Sequence, residues 1–202
     1  MTTERAMFAR MLNGDGKEPE HDKIEAAMVQ LLEAIGHDEG AHHLNTPARA
    51  AKAWKDRLAG YEEDPREHLR TAFPIDGEPS WVIQTGITIQ STCAHHLLPF
   101  TGHATVAYLP NRDSQSVVGL SKLSRVIHGY AKRMQVQERI GEQTATALHE
   151  VLDPQAVVVM ITATHDCMRL RGVREADAST TTVSTRGDVA AGLQLVAGAH
   201  KG

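Results

Sequence analysis

Two cysteines are all that this 202-residue chain contains, and each stands among histidines: Cys93-Ala94-His95-His96 and His165-Asp166-Cys167. Cys93, His96 and Cys167 would supply three ligands of the kind that suits Zn²⁺, and a catalytic zinc site keeps three protein ligands while leaving its fourth position to water. Two thiolates and one neutral imidazole would cancel the metal's charge and leave it a Lewis acid. The same residues admit a plainer account: two structural thiols, or one disulfide, with solvated histidines nearby. His165, Cys167, Arg169 and Arg171 fall two apart, so an extended backbone would set imidazole, thiolate and two guanidiniums on one face. Such a row suits an anionic substrate, because guanidinium forks pair bidentately with phosphate. It equally describes a solvated strand edge whose charges discourage aggregation.

Further cations cluster at predicted helix starts. In Gly119-Leu120-Ser121-Lys122-Leu123-Ser124-Arg125 a helix opening at Ser121 would point free N–H groups outward, with Lys122 and Arg125 one turn apart. Ordinary capping with two exposed cations is the competing account. Arg49 and Lys52 share a helical face just after Thr46-Pro47, at the helix end where cations are least welcome; a partner anion would explain them. In Gln135-Val136-Gln137-Glu138-Arg139, an acidic residue in a helix's first turn needs no function. A buried carboxylate there could, however, accept from the N1–H and 2-amino groups of guanine, donors that adenine lacks.

The elements that must position these groups are legible from periodicity. Residues 1–20 are polar and read as a mobile N-terminal arm; from Asp22 the offsets of Ile24, Met28, Leu31, Leu32 and Ile35 predict a helix stopped by Gly36. Thr46-Pro47 opens a second helix, with Ala50, Ala51, Trp54 and Leu58 as its stripe. Trp81, Ile83, Ile87 and Ile89 share one parity and predict a strand over 81–90; Thr101–Leu109 predicts another, with Ala104, Val106 and Tyr108 opposite Thr105 and Ala107. Helices follow from Ser121 and over 136–152, then β-branched runs over 156–164 and 178–185. Two hairpins flanking a helix pair imply an α+β layer, an antiparallel sheet with helices on one face behind an N-terminal helical segment. The Ala- and Gly-rich tail, 188–202, has no assignment.

The whole chain sets outer bounds. Its length suits one domain, and a formal charge of −4 argues against nucleic acid as the main partner. Met1–Glu20 carries scattered charges and no apolar run, so neither a signal peptide nor a membrane anchor is expected. The expected location is the cytoplasm, where thiols stay reduced and a Cys93–Cys167 disulfide is disfavoured.

Taken in order, Cys-x-His-His-Leu-Leu-Pro-Phe, Gly-Leu-Ser-Lys-Leu-x-Arg, Gln-Val-Gln-Glu-Arg and His-x-Cys-Met-x-x-Arg-Gly-Val resemble GTP cyclohydrolase I, as does the Thr-Pro-x-Arg-x-Ala-Lys start. The resemblance implies a tunnelling fold (T-fold), with a helical segment over 21–62 and a core over 80–187 within one domain spanning 21–187. It implies two stacked five-subunit rings, with active sites between subunits. Carried over by position, Cys93, His96 and Cys167 match zinc ligands, and His95 and His165 match histidines that move protons around the GTP imidazole ring. Ser121 matches a proton donor to the ribose. Glu138 with Gln137 matches the guanine anchor, while Lys122, Arg125, Arg171, Arg49 and Lys52 match triphosphate and ribose contacts. Arg169 lies outside that pattern. The implied reaction opens GTP at C8 with water activated by zinc, releases formate, and recloses to 7,8-dihydroneopterin triphosphate.

One departure falls inside the first motif: the family pattern has glutamate where this chain has Ala94. A carboxylate there would orient a histidine or raise its basicity, and Asp166 is a candidate to compensate. Two rivals follow: a same-fold enzyme that stops at a formamidopyrimidine or takes another purine nucleotide, and a zinc-containing binding or regulatory homologue without catalysis.

Overall fold

The computed structural model describes residues 20–36, 44–75, 77–113 and 116–200. Apart from Glu20, the expected N-terminal arm lies outside the described residues. Helix α1 (His21–Ala34) ends where Gly36 takes φ +68°, a value glycine adopts without a Cβ penalty. It packs on α2 (Thr46–Arg57), which has Pro47 in its first turn. No residue of α1 is fully buried, and Leu31 and Ile35 are 52% and 65% exposed, so this helical pair keeps an open apolar face. Two 3₁₀ turns, Ala59–Tyr61 and Pro65–Leu69, lead to β1 (Ala72–Pro74). This strand pairs antiparallel with β4 (Ser116–Val118) in a two-stranded sheet that the proline-punctuated sequence does not reveal.

The main sheet joins β2 (Val82–Cys93), β3 (Pro99–Leu109), the two-residue β5 (Met134–Gln135), β6 (Ala156–His165) and β7 (Thr180–Gly187) in the order β5-β2-β3-β6-β7. All neighbours are antiparallel except the short β2–β5 pair. On one face lie α3 (Leu120–Ala131), buried through Leu123, Val126, Ile127 and Tyr130, and α4 (Gln137–Leu152), buried through Ile140, Thr144, Ala147 and Leu148. These stripes, with Ile89, Val106, Tyr108, Val159 and Ile161 from the sheet, form the main core. Gly141 lets α4 come down on β7, because a Cβ there would lie 2.7 Å from Ser184 Oγ.

Strand β2 corrects one sequence expectation. Trp81 and Ile83 share parity with Ile87 and Ile89, yet the first pair packs in a separate cluster on the other sheet face. The register runs from Gln84↔Val106 to Ile87↔Ala104, so two residues of β2 oppose one of β3. This bulge, with Gly86 at φ +68°, flips the alternation once. The opposite face is covered by α6 (Ala190–Ala199), which occupies the tail left unassigned from sequence. Val196 meets Ala107 and Val158 there, beside Trp81, Ile83 and Leu193. A Cβ at Gly192 would collide with the Trp81 ring. His200 pins the helix end, with Nδ1 2.9 Å from Thr105 Oγ1 and Nε2 2.8 Å from Thr162 Oγ1.

Candidate metal centre

Strand β2 delivers Cys93, 6% exposed, to the end of the sheet. Beyond it the chain reverses tightly: Leu97 N–H donates to Cys93 O at 2.9 Å, and Cys93 N–H donates to Leu98 O at 2.8 Å. Leu97 takes φ +58°, an unfavourable value for a branched side chain. That turn folds His96 back over Cys93, with Nδ1 3.8 Å from Sγ. Ala94 N–H donates to Gln135 O at 2.9 Å, tying the same loop to β5.

The second half arrives through β6, whose last residue pairs Phe100↔His165 across β3. The chain does not stay extended beyond it. Asp166–Arg169 forms a single helical turn, α5, so the alternating row of His165, Cys167, Arg169 and Arg171 is not formed. Arg169 instead pairs with Asp166 at 3.2 Å, on the same turn. The turn carries Cys167 back toward β2, where the ligand atoms of Cys93, His96 and Cys167 all lie within 4.8 Å of one another.

The residues fit a metal ion. Tetrahedral bonds of about 2.3 Å to sulfur and about 2.0–2.1 Å to nitrogen would separate such donors by roughly 3.6–3.8 Å. Both cysteines are free rather than bridged. Burial, and then the neighbouring Cys93, push the Cys167 thiol above its ordinary pKa, partly opposed by Arg171. A bound cation would invert that balance, because a coordinating thiol is deprotonated outright. The three residues can therefore hold a metal.

His165 stands beside this group. Its ring stacks on Phe100, with centroids 4.7 Å apart and planes at 13°, and its Nε2 lies 2.8 Å from Gln137 Oε1. Burial lowers its pKa, and Glu138 partly offsets that shift. Gln137, 2% exposed, also reaches Ile161 O, Thr180 O and Thr182 Oγ1. His95 is exposed, its ring centroid 6.2 Å from that of His96. Glu138 is exposed in this chain rather than buried as the guanine-anchor argument supposed.

The remaining candidates stand on other segments, and of them Arg171 is near enough to act on the Cys167 thiol. Ser121 and Arg125 are exposed and Lys122 is half-buried at the start of α3, which opens at Gly119 without a side-chain cap. Arg49 and Lys52 sit exposed or nearly so on α2, and Arg171 is exposed after α5. None of these five cations makes a salt bridge among the described residues. Asp166 is occupied by Arg169 and makes no hydrogen bond to a histidine there, so it does not replace the carboxylate missing at Ala94. Two positioning residues escape the motif search. Phe100 closes the first motif without any sign that it grips His165. Arg57 binds Ser91 O at 2.7 Å and Thr92 Oγ1 at 2.8 Å, anchoring α2 next to Cys93. No local pattern marks Arg57, since its partners are 34 and 35 positions away.

No helix among the described residues is long and apolar enough to cross a membrane. The family model described as GTP cyclohydrolase I matches residues 24–198, which takes in all of α6 but its last residue. The chain is 46% identical over 172 residues to the GTP cyclohydrolase 1 of Corynebacterium aurimucosum, covering 85% of this chain and 87% of that one. It is 45% identical over 172 residues to the Bacillus subtilis protein of that name, covering 85% and 89%. With the Streptomyces coelicolor protein of that name the identity is 41% over 181 residues, covering 88% and 89%. The triangle of potential metal donors, the α+β sheet of the tunnelling fold and a match over almost the whole described chain agree: this protein belongs to the GTP cyclohydrolase I family.

Proposed function

We propose that this chain opens the imidazole ring of GTP hydrolytically, releases formate and recloses the product to 7,8-dihydroneopterin triphosphate, with Zn²⁺ held by Cys93, His96 and Cys167. The observation that carries this reading is the donor triangle beside the gripped imidazole of His165, in a chain of this family. When bound, zinc supplies Lewis acidity and lowers the pKa of a water toward about 7. His165 delivers a proton to N7 of guanine, making C8 electrophilic, and His95, at the exposed rim, exchanges protons with solvent and substrate. Glu138 accepts from the guanine N1–H and 2-amino groups. Ser121 donates to the ribose ring oxygen after ring opening. Lys122, Arg125, Arg171, Arg49 and Lys52 hold the triphosphate; that none of them pairs with a carboxylate among the described residues supports that role. The triphosphate is not transformed, so these contacts act by positioning.

The exposure of Glu138, and of Arg49 and Lys52 one to two turns up α2 from its Arg57 anchor, supports a site completed by a neighbouring subunit. Among the described residues strand β7 pairs with β6 alone, leaving an edge that suits side-by-side sheet assembly, and we assign a decamer of two rings. A cytoplasmic location goes with this reading. Incubating zinc-loaded protein with GTP, and scoring formate and fluorescent pterin together, tests it. Stoichiometric zinc with GTP left unconsumed would sink catalysis and favour a binding homologue.

Ala94 favours one second reading, a reaction arrested at the formamidopyrimidine. No carboxylate stands between Cys93 and the two histidines, and Asp166 is turned to Arg169. Ring-opened nucleotide that keeps its formyl group, with neither formate nor pterin released, would identify that arrest, and Ala94→Glu would then extend the reaction to formate and pterin.

A further inference from the structure

The side chain of Gln137 has no donor left for a substrate. Its Nε2 lies 2.9 Å from Ile161 O and 2.9 Å from Thr180 O, two carbonyl acceptors on the neighbouring strands β6 and β7. An amide nitrogen carries two hydrogens, and both are committed there. The same contacts settle which way the amide points, because an oxygen in that place would face two carbonyl oxygens at hydrogen-bond distance. Oε1 is therefore the atom turned to His165, 2.8 Å from Nε2. It can only accept. His165 Nε2 must then carry a hydrogen in every protonation state that keeps this bond.

The ring cannot escape by flipping. Phe100, 1% exposed, lies flat against it, with centroids 4.7 Å apart and planes at 13°. A half-turn about Cβ–Cγ within the stacked plane would put Cε1 where Nε2 stands, and the Nδ1–H tautomer would set an unprotonated Nε2 against Oε1; either way Oε1 loses its donor inside the chain. A buried acceptor left without a donor costs about 1–3 kcal/mol, enough to hold one tautomer over the other by roughly tenfold or more.

We propose that Gln137 is a positioning residue that holds neutral His165 as the Nε2–H tautomer, leaving Nδ1 as the atom that takes and gives the substrate's proton. The choice of tautomer comes from the second nitrogen's hydrogen bond, the usual means by which a protein sets it. Guanine recognition then falls to Glu138, the exposed neighbour, and Gln137 acts on the reaction through the imidazole. The identity of the substrate proton, that on N7, rests on the GTP ring-opening reading above; the tautomer does not.

The direct test uses the full zinc-loaded chain labelled with ¹⁵N histidine. A solid-state ¹⁵N spectrum at alkaline pH, with the His165 signals identified by their loss in His165→Asn, reports which ring nitrogen is protonated. The expected result is a protonated Nε2 and a bare Nδ1; the reverse pattern overturns the proposal. No variant of Gln137 is needed, so misfolding cannot obscure the answer, and an absence of formate would overturn the reaction reading while leaving this result intact. Gln137→Met supplies the kinetic arm. Positioning predicts kcat lower by about 10²-fold with GTP dissociation unchanged, whereas weakened GTP binding with kcat retained would return Gln137 to guanine recognition and overturn the proposal.

Discussion

At the scale of single residues, the metal triangle makes a sharp demand. Cys167 sits on a one-turn helix with its thiol held against Cys93, and each donor is one of three. On the proposed reading of one zinc per chain, Cys167→Ala is expected to lower bound zinc to a small fraction of that, with loss of pterin formation in parallel. Metal analysis after dialysis checks it, and full zinc retention would remove Cys167 from the ligand set. Glu138 makes a different demand. Replacing its carboxylate with an amide, Glu138→Gln, presents hydrogens to the guanine donors and should reduce kcat/KM for GTP at least about 10²-fold. Zinc content should stay at the wild-type level, because Glu138 touches none of the ligands. An unchanged kcat/KM would place guanine recognition elsewhere.

At the scale of elements, the docking of α6 depends on one imidazole. The helix, Ala190–Ala199, has no titratable side chain of its own, and His200 at its end meets Thr105 and Thr162 with His103 nearby. Burial, then His103, depresses the His200 pKa below its ordinary 6.5. The unfolded or undocked segment therefore binds a proton before the docked one does. Docking contributes in full above the ordinary histidine value and is lost as pH falls through the depressed one. Hydrogen exchange in 190–200 should accelerate, beyond its intrinsic pH dependence, as pH falls below the ordinary histidine value of 6.5. His200→Gln should abolish that step; unchanged protection in the wild type would show that apolar contacts around Val196 suffice alone. Those contacts are substantial, since burying a side chain such as valine is worth about 1.5–3 kcal/mol.

At the scale of the whole molecule, Arg57 fixes α2 at the β2 end of the sheet, while Arg49 lies eight residues upstream, roughly 12 Å along the helix. If Arg49 and Lys52 serve a neighbouring subunit's site, two defective chains can repair each other. Co-expressed Glu138→Gln and Arg49→Ala/Lys52→Ala variants should give hybrid rings in which some sites hold every wild-type residue. Pterin formation by the mixture, above the sum of the two separate variants, is the expected outcome. Activity no greater than that sum would confine each site to one chain. Light scattering on the same samples reports whether the particle has the mass of ten chains.

What the sequence determines by itself here is local. The helical stripes of α3 and α4, the alternation of β3 and the β-branched run of β6 are read directly from near neighbours, because burial on one face imposes a period of 3.6 or 2. Cys93 and His96 are three apart, so their shared chemistry is visible in the string. Tertiary structure decided the rest. One extra residue at Gly86 sends Trp81 and Ile87 to opposite faces despite equal parity, since a bulge shifts the phase without changing composition. A helical turn replaces the expected extended row after His165. Gln137 reaches His165 across 28 positions, and Arg57 reaches Thr92 across 35, through strand register and helix docking that no local period records. A sequence motif can therefore name the residues of this centre, while which nitrogen meets which oxygen depends on chain segments that become neighbours only when the sheet closes over its helices.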